Sequence, residues 1–334
     1  MTITVSLQEL SDLATHALVA ANTSSENARI VAAALVAADA EGLSSHGVSR
    51  IPFYADQALS GKVDGKATPD LQVTARASIT VDAKCGFAFP AIKVGLARAI
   101  DLIEDTGVVA IAVSNSHHAG ACGYHVEQVA THGYIALGFS NTPSAMAPWG
   151  GSKGTFGTNP IAFACPRADN LPLVIDLSLS RVARGKVMLA EKQGKPIPSG
   201  WALDSQGHST TNATAALAGT MVPMGEAKGA ALALVVEILT AGLAGASFAY
   251  EASSFFSAEG APPRVGQSFV IIDPFVFAGA RFSARIEELF AAILVQHGAR
   301  LPGTQRQLRR VNAQQKGVAI PDTLYQELVN RAKR

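Results

Sequence analysis

The hydrophobic periodicity of the chain is the feature that most restricts its fold. Residues 1–60 have the three- and four-residue spacing of amphipathic helices, and the pattern returns from Ala284 onward. Short alternating or wholly apolar runs between these ends predict strands. We therefore predict an α/β fold with a mixed sheet, composed of an α-helical lobe formed by both chain ends (1–68 plus 284–334) and an α/β lobe of residues 69–283.

The middle of the chain contains seven predicted strands with helical patterns between several of them. A further helix is predicted over residues 45–59, and a long buried helix over residues 226–246. The predicted strands are 71–74, 79–82, 108–113, 134–139, 161–165, 173–177 and 268–272, and the other helices are 89–106 and 120–132.

The chain carries little charge for its length, which restricts its partners. Only 16% of the 334 residues are charged, 48% are hydrophobic and the net charge is +1. This composition favours an enzyme with a large core and a subunit interface, and it argues against nucleic acid as a partner. Residues 229–246 are strongly apolar, but Glu237 lies in their middle, so we predict a buried helix and no membrane span.

The cysteines and the N-terminal residues indicate a reducing compartment. Cys85, Cys122 and Cys165 form no CxxC pair, and their number is odd. The first residues lack the basic region and apolar run of a signal peptide. We predict a cytoplasmic protein without a disulfide framework.

A candidate substrate site lies at residues 45–50, Ser-His-Gly-Val-Ser-Arg. If this segment is helical, His46 and Arg50 are four residues apart and share a face. The imidazole would carry a proton near neutral pH, and the guanidinium would hold a carboxylate. The pair suits a small acidic substrate; the alternative is a histidine at a helix end beside an exposed arginine.

A second candidate site follows the strand predicted at 108–113. His118, Cys122 and His125 have the spacing of zinc ligands on one helical face. The same stretch is rich in small residues that permit close approach of a phosphate or ribose to the backbone. Zinc binding, cofactor binding and plain core packing all remain open from spacing alone.

Two further stretches offer polar groups. The loop of residues 141–160 is rich in glycine and proline and presents Asn141, Thr158 and Asn159 for hydrogen bonding. Residues 176–186 combine an acid and two hydroxyls with three cations, a set that suits a phosphate such as the 2′-phosphate of adenosine. A capped helix with solvated charges explains this second pattern equally well.

Three common motifs are missing or misplaced. The chain has neither a GxGxxG motif after its first strands nor a GxxxxGK[ST] motif, so neither a standard Rossmann fold nor a P-loop is indicated. A GxSxG pattern at 150–154 lies within a loop, without the strand and helix that a nucleophile elbow needs.

In this order, the motifs resemble those of the malate/L-lactate dehydrogenase family that lacks a Rossmann fold, also called the type-2 or sulfolactate-dehydrogenase-like family. The resemblance implies a non-Rossmann nicotinamide-binding lobe, a homodimer, and an active site at the lobe junction near the partner subunit. The supporting motifs are Ser-His-Gly at 45–47 with Arg50, Asn-Ser-x-His at 115–118, and residues 146–151, 157–162, 176, 185–186, 197–201, 228–229 and 301–303.

Within that family, the chain is similar to the NADPH-dependent reductases of cyclic ketimine carboxylates. The markers are residues 44–54, residues 61–69 and the paired His117 and His118. Lys186 departs from the pattern, because this position is acidic in some ketimine reductases. The departure leaves open which group partners His46.

The resemblance implies an NADPH-dependent reduction of Δ1-piperideine-2-carboxylate or Δ1-pyrroline-2-carboxylate, with NADH as an alternative cofactor. His46 would donate the proton, oriented by Ser45, and Arg50 would pair with the carboxylate. We expect Arg50 to lower the pKa of His46 unless the bound carboxylate neutralises it. The implied residues are Ser45, His46 and Lys186 for catalysis, Arg50 and Thr158 for substrate, and His117, His118, Ala119, Gly120, Ala121, Asp176, Leu177, Ser178, Arg184, Gly185, Lys228, Arg300, Leu301, Pro302 and Gly303 for the cofactor, with no metal.

Other functions remain open. The same residues would serve a 2-hydroxy-acid dehydrogenase, because carbonyl and imine carbons make similar demands on Arg50 and His46. A zinc hydrolase that uses His118, Cys122 and His125 is an alternative of a different class. A non-catalytic dimeric scaffold is another.

Overall fold

The computed structural model describes residues 1–333. Helices and strands alternate along most of this part of the chain. The strands are β1 (Thr2–Val5), β2 (Asp70–Ala75), β3 (Ser78–Asp82), β4 (Val108–Ser116), β5 (Ile135–Ser140), β6 (Ile161–Cys165), β7 (Leu173–Leu177), β8 (Ala202–Leu203), β9 (Ser209–Thr210), β10 (Thr220–Met221), β11 (Val265–Ile272) and β12 (Val318–Pro321). The helices are α1 (Leu7–Ala20), α2 (Ser25–Ala40), α3 (Ile51–Leu59), α4 (Ala88–Thr106), α5 (Cys122–Ala130), α6 (Arg184–Lys192), α7 (Ala213–Ala218), α8 (Ala227–Glu237), α9 (Pro274–Ala278), α10 (Arg281–Leu294), α11 (Thr304–Lys316) and α12 (Asp322–Ala332).

The central layer is a seven-stranded sheet with the order β2-β3-β4-β11-β5-β6-β7. The β3–β4 pair is parallel and every other neighbouring pair in this sheet is antiparallel. The predicted mixed sheet is confirmed, and all seven predicted strands belong to it. Helices α4 and α5 cover the sheet through buried residues such as Ile92 and Val126, which pack with Phe269 of β11.

A separate hydrophobic cluster joins the two ends of the chain. Strand β1 pairs antiparallel with β12, and the cluster contains Leu10 and Leu35 from the first helices together with Leu328 from the last. Because side chains from both ends share one core, the helices near the start of the chain depend on its last helix for burial. The predicted boundaries at residues 68 and 284 remain a prediction.

A third cluster surrounds the small sheet β10-β8-β9. Met146, Val187 and Val236 contribute to it from the 141–160 loop, α6 and α8. This cluster anchors the start of α6 and the long loop, both of which carry predicted site residues.

The helix predicted over residues 45–59 is wrong in its first turn. The segment consists of two 3₁₀ turns, Ser44–His46 and Val48–Arg50, and α3 begins only at Ile51. Gly47 separates the turns with extended dihedral angles, φ −91° and ψ −154°. A proline in the first turn of α3 fits a helix start, because the first turn needs no donor from that nitrogen.

The apolar segment 226–246 also differs from its prediction. Helix α8 ends at Glu237 and continues as a π-helical turn, Ile238–Gly242. Glu237 is buried, but Leu232, Val235 and Ile238 are exposed, so the helix is buried on one side only. No helix within residues 1–333 is long and apolar enough to cross a bilayer.

Candidate active site

The segment with His46 and Arg50 is fixed to α2 by a single carboxyl group. Asp39 accepts a hydrogen bond from the backbone N–H of Val48, at 2.7 Å. A Cβ atom at Gly47 would lie 2.1 Å from the same carboxyl group, so only glycine permits this approach. The contact places the two 3₁₀ turns, and with them His46 and Arg50, against the helical cluster.

His46 has one ring nitrogen occupied and a depressed pKa. Its Nδ1 lies 3.0 Å from the hydroxyl oxygen of Ser45. The pKa of His46 is lowered to about 4, mainly by burial and also by the charges of Arg50 and Arg306. The expected effect of Arg50 is therefore confirmed, although burial is the larger cause. At neutral pH the imidazole is uncharged and Nε2 remains available to exchange a proton with a ligand.

Arg50 is held on one side and unpaired on the other. Its Nε donates to the carbonyl oxygen of Ser45 at 2.7 Å, while its Nη1 is buried without a hydrogen-bond partner in residues 1–333. The guanidinium carbon lies 4.6 Å from the ring centroid of Phe256. A buried donor without a partner is costly, and a carboxylate would satisfy it with a charge-assisted bond.

A second imidazole lies beside the first. The rings of His46 and His118 are 5.6 Å apart between centroids, and the hydroxyl oxygen of Tyr54 lies 2.6 Å from Nδ1 of His118. Burial holds the pKa of Tyr54 well above its usual range and that of His118 well below. Both groups are therefore neutral at physiological pH, and the charge of this part of the site comes from Arg50.

The geometry of the 118–125 segment does not support the zinc alternative. His118 is bonded to Tyr54, and Nε2 of His125 donates to the carbonyl oxygen of Ala119 at 2.9 Å. Burial raises the pKa of the Cys122 thiol well above its usual range, with a further contribution from Asp176, which disfavours the thiolate that zinc requires. Residues 1–333 contain no group of three or more histidine, cysteine or acidic side chains that could hold a metal ion.

Two of the segments predicted to bind the cofactor, around Asp176 and at 300–303, lie together near the start of α11. Asp176 accepts the backbone N–H of Gly123 at 2.9 Å, and its carbonyl accepts from Arg306 at 3.1 Å. A Cβ at Gly303 would lie 2.8 Å from the carbonyl oxygen of Val174, so the 301–303 turn packs directly on β7. The adjoining open cleft, of about 560 Å³, is lined by Arg300, Leu301, Pro302, Gly303, Gln305, Arg306 and Arg309.

The donor chemistry of this cleft fits a nicotinamide dinucleotide. Three guanidinium groups, of Arg300, Arg306 and Arg309, surround an open volume, and phosphate groups are well matched to arginine. Arg306 also acts on the pKa of His46, so the cleft lies within electrostatic range of the imidazole. Sequence reasoning missed Arg306 and Arg309, although their spacing on a helix that follows the 301–303 turn was a usable signal.

Other residues predicted to bind the substrate or cofactor have the following neighbours. A Cβ at Gly185 would lie 3.6 Å from the Cβ of Ser45, which places the start of α6 beside the 3₁₀ turns of residues 44–50. Nε2 of His117 is 2.7 Å from Oε1 of Gln57. The remaining members of the 117–121 and 176–178 segments are the buried Ala119, Gly120 with φ +66°, the half-buried Ala121, the exposed Leu177, and Ser178, whose hydroxyl is 2.6 Å from that of Ser180.

Other predicted residues have different contacts from those expected. The guanidinium of Arg184 donates to the carbonyl oxygens of Ser144 and Leu217, so its side chain supports the scaffold. The hydroxyl of Thr158 lies 3.4 Å from that of Thr142. Lys186 and Lys228 are exposed, and within residues 1–333 their side chains make no hydrogen bond or ion pair.

Two asparagines of the long loop are structural. Asn159 donates to Glu237 at 2.8 Å, and Asn141 donates to the other oxygen of the same carboxyl group at 3.3 Å. The backbone N–H of Ala249 adds a third hydrogen bond, at 3.2 Å. Their side-chain amides are thus directed to a buried carboxyl group, so the suggestion that both offer hydrogen bonds to a ligand is not supported.

Comparison with known proteins shows the family of the chain. The family model described as malate/L-lactate dehydrogenase matches residues 5–329. The chain belongs to the malate/L-lactate dehydrogenase family. The predicted resemblance is therefore confirmed, as is the prediction of an oxidoreductase.

Two relatives from this family differ in the reaction that their names describe. The chain is 53% identical over 325 residues to the (2R)-3-sulfolactate dehydrogenase (NADP(+)) of Chromohalobacter salexigens, covering 97% of this chain and 96% of that protein. It is 38% identical over 320 residues to a Δ1-pyrroline-2-carboxylate/Δ1-piperideine-2-carboxylate reductase of Pseudomonas syringae pv. tomato, covering 96% and 93%. The sulfolactate dehydrogenase is the more similar of the two.

Solved structures from the family share the fold. The Δ1-piperideine-2-carboxylate reductase of Pseudomonas syringae superposes with a TM-score of 0.93 at 38% identity, covering 98% of this chain and 99% of that chain. The sulfolactate dehydrogenase of Methanocaldococcus jannaschii gives a TM-score of 0.91 at 29% identity, covering 99% and 97%. The fold therefore does not distinguish between the two reactions.

Proposed function

We propose that the protein is an NADP-dependent oxidoreductase that interconverts a 2-hydroxy acid and a 2-oxo acid, with 3-sulfolactate as the preferred substrate class. The observation that carries the proposal is the buried, unpaired Nη1 of Arg50 close to a neutral imidazole, His46. The 53% identity to an NADP(+) sulfolactate dehydrogenase supports the choice of substrate and cofactor.

The chain's own residues account for substrate binding and proton transfer. Arg50 binds the substrate carboxylate through Nη1, which leaves the neighbouring carbinol carbon near His46. NADP⁺ bound in the cleft at the start of α11 would supply the hydride acceptor. As C2 loses its hydride, Nε2 of His46 takes the hydroxyl proton and the C–O bond becomes a carbonyl; the reverse reaction returns that proton. Ser45 keeps the imidazole oriented through Nδ1.

The low pKa of His46 matches the oxidative direction. At pH 7 the imidazole is unprotonated and accepts the hydroxyl proton without first losing one. Binding of an anion beside Arg50 reduces the effect of that charge and raises the pKa of His46 towards the range useful for reduction. A substrate with two anionic groups has a stronger effect of this kind than a monoanion.

The positive surroundings favour a dianion. Lys186 lies directly after Gly185, which is next to Ser45, and it is exposed with no partner in residues 1–333. An acidic residue at this position would repel a sulfonate, whereas the ammonium attracts it. We propose that Lys186 acts on the second anionic group of the substrate and is not the partner of His46.

The cofactor is held by the cleft at the start of α11. We propose that Arg300, Arg306 and Arg309 pair with its phosphate groups, and that Asp176 fixes Arg306 for this purpose. Asp176 and the 301–303 turn, which were both predicted to bind the cofactor, line or support the same region.

Reduction of cyclic ketimine carboxylates is the second candidate. Arg50 and His46 would bind a ring carboxylate and protonate its nitrogen with the same geometry, and Phe255 and Phe256 provide an apolar wall for a ring. The 38% identity to the Pseudomonas syringae reductase favours this reaction less strongly.

A steady-state assay tests the two candidates together. NADP⁺ is tested with (2R)-3-sulfolactate, malate and L-lactate, and NADPH with both cyclic ketimines. We expect kcat/KM to be highest for sulfolactate; a higher value for either ketimine contradicts the preferred substrate. Arg50→Met is expected to lower kcat/KM by about 10²-fold, since a charge-assisted hydrogen-bonded pair contributes roughly 1.5–3 kcal/mol. Arg98→Met, at an exposed arginine of α4, is the matched control.

We also propose that the chain forms a homodimer. Leu232, Val235, Ile238 and Leu243 expose apolar side chains on and after α8, and such patches on one element are typical of subunit interfaces. Light scattering after size-exclusion chromatography tests this: a monomer at micromolar concentration contradicts it, and Val235→Asp with Ile238→Asp should convert a dimer to monomer.

A further inference from the structure

Residues 253–259 form a loop that is fixed to the end of α3 through its carbonyl groups. We call this segment the aromatic loop because it carries Phe255 and Phe256. The ammonium of Lys62 donates to the carbonyl oxygens of Ser254, Ser257 and Glu259, at 2.8, 2.9 and 2.9 Å. Lys62 is only 3% exposed, and no carboxylate pairs with it in residues 1–333. Its charge is therefore stabilised by the loop alone.

Two residues of α3 and its C-cap add to the attachment. Gln57 donates to the carbonyl oxygen of Phe255 at 2.7 Å, and Ser60 donates to that of Ala258 at 2.9 Å. Five of the seven carbonyl groups of the aromatic loop thus accept hydrogen bonds from residues 57–62. Such a dense set of contacts restricts the loop to one conformation.

The attachment places both aromatic rings against the candidate active site. The ring of Phe255 lies 5.0 Å from that of His117 and 5.1 Å from that of His118, between centroids. The ring of Phe256 lies 4.6 Å from the guanidinium carbon of Arg50 and meets Phe53 edge-on at 5.5 Å. The loop therefore contacts the group that is expected to bind the carboxylate.

We propose that Phe256 is a positioning residue that orients the guanidinium of Arg50 for carboxylate binding. Arg50 has two fixed contacts: its Nε with the carbonyl oxygen of Ser45, and its guanidinium with the Phe256 ring. Together they leave Nη1 free for a ligand. The inference rests on the proposed function in one respect, namely that the ligand of Arg50 is a carboxylate.

The expected kinetic effect is on binding and not on chemistry. Without the ring, the guanidinium gains freedom that carboxylate binding must remove, and the cation–π attraction is lost. We expect Phe256→Ala to raise KM for a carboxylate substrate by about 3- to 30-fold, given the usual strength of such contacts. The kcat value should change less than about 2-fold, because His46 is not contacted by Phe256.

Matched variants separate this role from simple packing. Phe256→Tyr keeps an electron-rich face and should restore KM, whereas Phe256→Leu keeps apolar bulk and should behave like Phe256→Ala. Phe277→Ala removes an exposed ring on α9 and should leave KM and kcat unchanged. Thermal unfolding of each variant is measured alongside, and Phe256→Tyr and Phe256→Leu carry the test if Phe256→Ala does not fold.

Direct binding distinguishes failure of this inference from failure of the proposed function. Calorimetric titration with oxalate in the presence of NADP⁺ reports the carboxylate site without turnover. Wild-type binding that weakens 3- to 30-fold in Phe256→Ala and recovers in Phe256→Tyr supports the inference even if sulfolactate is not a substrate. The inference is overturned by equal oxalate affinity in wild type and Phe256→Ala, by Phe256→Leu binding as wild type does, or by a wild type that does not bind oxalate.

Discussion

Asp39 gives the sharpest test of how the active-site segment is held. Its carboxyl group lies between α2 and the 3₁₀ turns, and burial raises its pKa from 3.8 to about 7, partly offset by the hydrogen bond from Val48. The charged form is thus disfavoured in the folded protein relative to the unfolded chain. The stability contributed by protonated Asp39 is complete below about pH 4, and it is lost as the pH rises through 7.

Asp39→Asn removes this titration while it keeps an oxygen for the N–H of Val48. A difference of about three pKa units corresponds to roughly 4 kcal/mol, and about 2–3 kcal/mol of this falls between pH 5 and pH 8. Because Asp39 is only half-buried, roughly 4 kcal/mol is the most that its titration can contribute to the free energy of unfolding. We expect urea unfolding to show that, between pH 5 and pH 8, the free energy of unfolding of the variant rises by about 2–3 kcal/mol relative to that of wild type.

The matched control is Asp105→Asn, at an exposed acid near the end of α4. This substitution measures the effect of removing a carboxyl group from the surface of the protein. If the Asp39→Asn and wild-type stabilities run parallel from pH 5 to pH 8 within about 0.5 kcal/mol, the carboxyl group is not buried as described, and the account of how His46 and Arg50 are placed is refuted.

Three further outcomes are expected. Glu237→Leu should destabilise the protein by about 3–5 kcal/mol in urea unfolding, because the amides of Asn141 and Asn159 and the N–H of Ala249 lose their acceptor; a loss below about 1 kcal/mol contradicts this. Arg306→Gln should move the acidic limb of the pH profile of kcat/KM to higher pH, because one cause of the low pKa of His46 is removed; an unmoved limb contradicts it. Prolonged dialysis against a chelator should leave activity unchanged, and a loss restored by zinc would revive the metal alternative.

The sheet could be predicted because its strands have a local signature. Most of the seven strands contain an alternating or wholly apolar run of four or more residues, a pattern that reflects which face of the strand is buried. Strands β1 and β12 were missed for the opposite reason. Each has only four residues, and each is stabilised by a partner at the other end of the chain, so the short local pattern is too weak to indicate the pairing.

The candidate site was predictable in its residue types but not in its geometry. The four-residue spacing of His46 and Arg50 suggested a helical face, yet the two side chains are placed by the Asp39–Val48 contact across a break at Gly47. Phe256 approaches Arg50 from a loop far along the chain, so no spacing rule could identify it. The expected roles of His46 and Arg50 came from the resemblance to the family, because residue spacing alone did not define them.

The charges around His46 connect substrate binding to proton transfer. In the free site, Arg50 and Arg306 both lower the pKa of His46. A carboxylate on Arg50 opposes the first of these effects, so its binding must raise the pKa, and by linkage protonated His46 must bind the carboxylate more tightly. Protonation of His46 should therefore increase the affinity most for a dianion such as 3-sulfopyruvate and less for a monoanion. It should not change the affinity for a neutral amide.

The coupling has a direct measurement. We expect NMR titration of the His46 imidazole in the presence of oxalate to give a higher pKa than in its absence, with no change when oxamide replaces oxalate. Arg50→Met should abolish the difference, because the carboxylate then has no cation to neutralise. An oxalate-bound pKa equal to that of the free protein would mean that Arg50 does not bind the carboxylate, and the assignment of the two residues to one site would fail.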